Sequence, residues 1–153
     1  MSEVTAKDLT REEQAALDVV KKMYACFGKG DLAGVLDLQT DDVVWDVGEG
    51  DGGAKTSPDP RLPFAGTFKG KAGLQKFFNV LGETVMFRNY AQTEMIVQGS
   101  KVVVVLHDQA HAKPTKTDYD TWLIHKIYVR DGKIAYLWNH IDTGPIWAAF
   151  SKK

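Results

Sequence analysis

The sequence predicts an α+β domain: a cone in which three N-terminal helices pack on a curved antiparallel sheet and enclose a pocket. Three observations carry this. Helical spacing of apolar residues dominates the first 82 residues, around one short strand. From residue 86 onward the pattern changes to long alternating runs separated by tight-turn signals. Within the first regime, between the short strand and the third helix, residues 48–66 hold five glycines and three prolines and no periodicity. Helices followed by a strand meander place the helices on one face of the sheet. Strands of this length must bend around them, which leaves a conical hollow as the natural seat of function.

Each element has a local cause. Thr10-Arg11-Glu12-Glu13 reads as a capping box that starts the first helix, whose stripe is Ala16, Val19, Val20, Met23 and Phe27. Gly28 and Gly30 end it, and Asp31 is placed to cap a short second helix carrying Leu32, Val35, Leu36 and Leu38. Residues 42–47, DVVWDV, form a β-branched and aromatic strand. The loop 48–66 is expected at the pocket mouth, with Leu62, Pro63 and Phe64 folding back over the cavity. A third helix over residues 71–82 presents Leu74, Phe77, Phe78 and Leu81 on one side. Strands follow over residues 86–97, 101–112, 117–130 and 133–142, with turns at Gly99-Ser100 and Asp131-Gly132. Residues 143–150 give a short final helix anchored by Ile146, Trp147 and Phe150.

Composition narrows the function classes. With 153 residues, no repeats and no linker-like shift, residues 1–153 read as a single domain. A net charge of −1 gives no electrostatic reason to expect nucleic acid or a membrane surface as partner. Apolar runs are too short for a bilayer, and residues 1–14 lack a signal-peptide pattern, so a cytoplasmic protein is expected. The lone Cys26 excludes an internal disulfide and reads as core filler. No phosphate loop is present, and Glu49 and Asp51 in the glycine-rich stretch would repel phosphate, so no cofactor is expected. His107, Gln109 and His111 share one face of a strand and read as an exposed polar row; no metal site is expected.

Four segments carry a resemblance: Lys29-Gly30-Asp31-Leu32, the strand entry Asp41-Asp42-Val43, Pro63-Phe64-Ala65-Gly66-Thr67-Phe68-Lys69-Gly70, and Asp131-Gly132-Lys133-Ile134. In this order and spacing they resemble the nuclear-transport-factor-2-like superfamily. The closing Asn139-His140-Ile141-Asp142-Thr143 is similar to its SnoaL-like branch. The resemblance covers about residues 12–150. It implies a cone-shaped homodimer with a pocket for a small apolar or aromatic molecule, in a fold that hosts isomerases, cyclases, dehydratases and non-catalytic binders. The ketosteroid-isomerase-like pattern is displaced here. Its base position falls on Val47, with Asp46 one step earlier; its tyrosine falls on Met23, with Tyr24 one step later; its acidic donor falls at or near His125.

The candidate catalytic groups are therefore His125, Asp46, Asp142 and Tyr24. His125 sits in an apolar run, Leu123-Ile124-His125-Lys126-Ile127, and would be a buried imidazole able to act as base or oxyanion donor. Its other reading is a satisfied core histidine. Asp46 is either a carboxylate at the pocket rim or a solvent-facing partner of a lysine. Asp142 is either a late-strand general acid/base or a helix cap. Trp45, Val47, Phe64, Phe77, Tyr90, Trp122, Leu123, Ile127, Trp138 and Asn139 are expected to line the pocket. The readings that follow are a cofactor-independent proton-transfer catalyst on a small apolar carbonyl compound, or a binding or dimeric interaction module of the same fold.

Overall fold

The computed structural model describes residues 8–48 and 62–152. Most of the expected mouth loop, residues 49–61, lies outside the described residues. The chain order is α1 (Arg11–Gly28), α2 (Leu32–Asp37), β1 (Gln39–Val47), β2 (Gly66–Lys69), α3 (Gly70–Thr84), β3 (Val85–Gln98), β4 (Lys101–Ala112), β5 (Thr117–Arg130), β6 (Lys133–Ile141) and α4 (Gly144–Phe150). Six strands form one curved, unclosed sheet in the order β2-β1-β6-β5-β4-β3. Among the described residues, no helix is long and apolar enough to cross a membrane.

Two features correct the sequence-based picture. The sheet is mixed rather than wholly antiparallel, because β1 runs parallel to β6. Parallel neighbours need a long crossover, and everything from β2 to β5 supplies it. Only α1 and α2 precede the sheet. The third helix follows β2, a four-residue edge strand that pairs with β1 from Val44–Lys69 to Val47–Gly66.

The helix that carries Tyr24 is fixed at its N-terminus. The Thr10 hydroxyl accepts from the Glu13 amide at 3.0 Å, and the Glu13 carboxylate accepts from the Thr10 amide at 3.1 Å. The other Glu13 oxygen accepts from the Gly99 amide at 3.0 Å, tying the helix to the β3–β4 turn. That turn needs Gly99 at φ 58°, a left-handed conformation that glycine adopts without strain. Ala16, Leu17, Val20, Met23 and Tyr24 form the buried stripe of α1 against the sheet. At the helix end Asp31 caps α2 by accepting from the Gly34 amide at 2.9 Å.

In the sheet, alternation decides which side chains face the helices. Along β4 the inner row is Val102, Val104, Leu106, Asp108, Ala110 and Ala112, all buried. Along β5 it is Tyr119, Thr121, Leu123, His125 and Ile127. β3 breaks register with β4 between Phe87 and Asn89 and again between Gln92 and Glu94. Such bulges bend an edge strand, and they fall where β3 borders a groove with the ends of α1 and α3.

Candidate functional site

Tyr24 reaches inward from α1 and His125 from the middle of β5. The Tyr24 hydroxyl and His125 Nδ1 are 2.6 Å apart, and the two ring planes are nearly parallel, at 7° to one another. Both groups are buried, and burial sets their charge. Desolvation pushes the Tyr24 phenol well above 10, with the nearby Tyr90 adding to it. Desolvation pulls the His125 imidazole down to about 3, opposed in part by Asn139 on the neighbouring strand. The pair is therefore neutral at pH 7. A phenol is a far better acid than a neutral imidazole, so Tyr24 is assigned as donor to Nδ1 and the ring proton to Nε2. Neither His125 Nε2 nor Asn139 Oδ1, both buried, makes a well-formed hydrogen bond in the protein, although the Asn139 side chain is close enough to the imidazole to favour its protonated form.

These atoms border a chamber of about 40 Å3 whose remaining walls are apolar, among them Met23, Trp45, Phe77, Phe78 and Leu137. Trp45 is held in place by its own indole, which donates to Gln39 at 3.1 Å, while Gln39 donates to the Val35 carbonyl at 3.0 Å. Outward, the chamber shares Tyr24, Phe27, Phe78, Leu81 and Tyr90 with an open groove of about 540 Å3. That groove runs between the ends of α1 and α3 and strand β3. Inward, it shares Phe77, Leu81, Tyr90 and Asn139 with a second chamber of about 30 Å3, which adds Phe64, Asp108, Tyr119 and Ile146. The three spaces share walls, and Leu81 and Tyr90 border all of them.

The expected site residues separate into groups. Tyr24, His125, Trp45, Phe77, Tyr90 and Asn139 border the outer chamber, while Phe64 and Leu123 border the inner one. Val47 and Ile127 are fully buried in the core and border neither chamber. Asp46 is buried on the opposite side of β1. One of its oxygens accepts from Thr67 at 2.7 Å and the other from Tyr136 at 2.8 Å. No bulge turns it inward, since the register of β1 with β2 is unbroken through Asp46–Thr67. Asp142 is exposed and takes part in the fold through its backbone, its carbonyl accepting from Thr121 at 2.7 Å. Trp122 and Trp138 lie on the outer face of the sheet, stacked on His107 and His140 at 4.6 and 5.2 Å. That face also holds His107–Asp120 and His111–Asp118 at 2.6 and 2.7 Å. Among the described residues, no group of three or more His, Cys, Asp or Glu is placed to hold a metal ion.

Asp108 is the residue that sequence reasoning missed. It continues the inner row of β4 after Leu106, is 3% exposed, and its Oδ1 is buried without a hydrogen-bond partner. Burial raises its carboxyl to about 7; His107 counters the rise and Asp120 adds to it. The signal was the same alternation that put Val102, Val104 and Leu106 on the inner side.

A family profile described as SnoaL-like domain matches residues 20–137. No curated protein matches the sequence. Among solved structures, an NTF2-like protein from Burkholderia xenovorans LB400 is similar at 25% identity and TM-score 0.77, over 93% of this chain and 100% of that one. TerC, co-crystallised with polyporic acid, is similar at 25% identity and TM-score 0.74, over 90% and 99%. An NTF2-like protein from Burkholderia pseudomallei K96243 is similar in fold, at 22% identity and TM-score 0.75, over 90% and 98%.

Proposed function

The chain belongs to the SnoaL-like domain family, and from that premise we propose that it is a cofactor-independent proton-transfer catalyst, of isomerase or cyclase type, for a small, largely apolar carbonyl compound. The observation that carries this is the Tyr24–His125 pair. It is a neutral, buried, hydrogen-bonded dyad whose Nε2 makes no well-formed hydrogen bond in the protein and borders an apolar chamber. A carbonyl oxygen seated there receives the Nε2–H. As solvent from the open groove takes the proton of a neighbouring C–H, negative charge grows on that oxygen, and the hydrogen bond strengthens in apolar surroundings. Tyr24 fixes the tautomer and supports the imidazole as the charge develops. The similar TerC, co-crystallised with polyporic acid, supports a small organic molecule as occupant.

The test has two parts. Mass spectrometry of small molecules that copurify with the protein identifies the ligand class. Deuterium incorporation next to the carbonyl of 2-acetonaphthone in deuterated water, followed by proton NMR, reads the chemistry. The wild type should accelerate exchange and His125→Ala should lose most of it, roughly 100-fold or more for a positioned donor. Binding without any exchange would assign the protein to the non-catalytic ligand binders of this fold instead.

A second reading concerns assembly. Ile96, Trp122 and Ile124 stand on the outer side of the sheet with 52%, 49% and 39% of their surface exposed. Large apolar side chains left on one sheet face favour a homodimer joined through it. Sedimentation of the wild type and of Trp122→Glu decides: a dimer converted to monomer supports the reading, and a monomeric wild type removes it.

A further inference from the structure

The two chambers hold about 40 and 30 Å3, well short of the roughly 150 Å3 of an apolar cavity that takes one benzene ring. The groove between the ends of α1 and α3 and strand β3 holds about 540 Å3, the size of a small-molecule site. A ligand that carries rings has its room in the groove. The groove has an aromatic wall. Phe27 on α1 meets Phe87 and Tyr90 on β3 in a triangle whose ring centroids are 5.5, 5.3 and 5.0 Å apart. These rings are tilted or edge-to-face, so they offer a flat aromatic ligand both faces and edges. Gly28 and Gly82 also border the groove, and a Cβ added at either would meet no atom within 4 Å.

One side of the groove is cationic. Among the described residues, Arg88 is the charged side chain that borders it, and no aspartate or glutamate does. The first bulge of β3 puts Arg88 there: Phe87 pairs with Ala110 and Asn89 with Gln109, and the register passes over the residue between them. Its guanidinium reaches Asp118 by two long contacts, Nε and Nη2 each 3.3 Å from Oδ1. Charge-assisted hydrogen bonds run at about 2.7–2.9 Å, and that same oxygen has a closer partner in His111 Nδ1 at 2.7 Å. Arg88 and Asp118 are both at least half exposed, so their pairing adds little and another carboxylate can replace it. The neighbouring amides are already committed: Asn89 donates to Gln109 at 3.1 Å and Gln92 to the Tyr90 carbonyl at 2.9 Å. A second cation stands close by, since Lys113 Nζ donates to the Gly82 carbonyl at 2.6 Å.

We propose that the groove binds a flat aromatic carboxylate, its ring against Phe27, Phe87 and Tyr90 and its carboxylate on the Arg88 guanidinium. The planar guanidinium matches a carboxylate in a two-pronged contact, and the anion takes the place that Asp118 holds loosely. The aromatic wall supplies contact area, and Arg88 supplies the choice between a charged ligand and a neutral one of the same shape. This site goes beyond the Tyr24–His125 pair: it selects a ligand by ring and charge, and it holds whether or not proton transfer follows.

The test titrates the full-length protein calorimetrically at pH 7 and low salt with 2-naphthoate and 2-naphthamide, which match in shape and differ in charge. The wild type should bind the carboxylate at least about fivefold tighter, the upper range for a partly exposed charged pair. Added salt should shrink that preference. Arg88→Gln should bring the two affinities to within about twofold of each other by removing the charge. Gly82→Leu places a side chain in the groove from a helical position, and should weaken both probes at least about tenfold. Its melting temperature should match or exceed that of the wild type, because leucine favours a helix over glycine, so the loss is not one of folding. Four results each overturn the proposal: no binding of 2-naphthoate by the wild type, equal binding of both probes, an unchanged preference in Arg88→Gln, or unchanged affinities in Gly82→Leu. None of them bears on the dyad, which the deuterium exchange of 2-acetonaphthone reads separately.

Discussion

Replacing Asp108 with asparagine should expose a compensation built into the pH dependence of stability. Asp108 is raised by burial from 3.8 to about 7. Between those values the folded chain holds a proton that the unfolded chain has released. Its contribution is therefore complete below pH 3.8 and is lost as pH rises toward 7. His125 is lowered by burial from 6.5 to about 3. Between those values the unfolded chain holds a proton that the fold excludes, so stability rises with pH and its contribution is complete above 6.5. Each slope is about 1.4 kcal/mol per pH unit, and the two have opposite signs. From pH 4.5 to 6.5 they cancel. Asp108→Asn removes one of them, so relative to wild type its stability should climb by about 3 kcal/mol over those two units. In a chain of this length that is on the order of 6–12 °C in melting temperature. The two proteins should be nearly equal near pH 4 and furthest apart at pH 7, with the variant the more stable. Exposed carboxyls such as Asp42, Asp118 and Asp120 are held below 3.8 by Arg130, His111 and His107, so they titrate beneath this window. Groups common to both proteins drop out of the difference. The assay is urea and thermal unfolding by circular dichroism at pH 4.5, 5.5 and 6.5. Parallel curves for the two proteins would refute the reasoning, because they would mean that Asp108 ionises in the fold as it does in the unfolded chain.

Three further outcomes are expected. Tyr24→Phe leaves His125 Nδ1 buried without its donor and should cost about 1–3 kcal/mol, read by urea unfolding, with a larger loss in 2-acetonaphthone binding than in stability. Asp46→Ala removes the acceptor for Thr67 and Tyr136 and should destabilise by about 2 kcal/mol, while affinity for 2-acetonaphthone stays within about twofold. A drop in affinity comparable to that of the Tyr24 variant would return Asp46 to the site. Thr10→Ala breaks the capping box that holds α1 and should cost about 1 kcal/mol, measured in the same unfolding experiment.

Much of the fold was legible because its signals are local. β4 and β5 end where the turns and alternation said they would, and Asp131-Gly132 takes the two positive φ values, 53° and 77°, that its hairpin reading requires. What was not legible depends on partners far away in sequence. β2 is four residues long, too short for a period to show, and it is a strand because β1 offers it an edge. The parallel pairing of β1 with β6 has no local signature at all. The site divides in the same way. Tyr24 and Met23 are adjacent on the helix and both border the outer chamber, so helical spacing alone did not choose between them. The 2.6 Å contact to His125 distinguishes Tyr24. Asp46 was a candidate on an assumed bulge, and the unbroken β1–β2 register keeps it on the other face. Asp108 was readable by simple alternation.

The parallel strand pair also governs how this chain is made. One of the two neighbours of β1, β6, is synthesised roughly 90 residues after it, since Trp45 pairs with Leu137. Through that interval the edge of β1 destined for β6 has no partner, and Val43, Trp45 and Val47, which end fully or nearly fully buried, lack most of their final surroundings. Until β6 emerges, that edge of β1 stays open to wrong partners, and the final sheet needs β6 inserted between β1 and β5. A chain released before residue 133 should be captured by chaperones or precipitate, whereas one that has emerged past residue 141 can close the sheet.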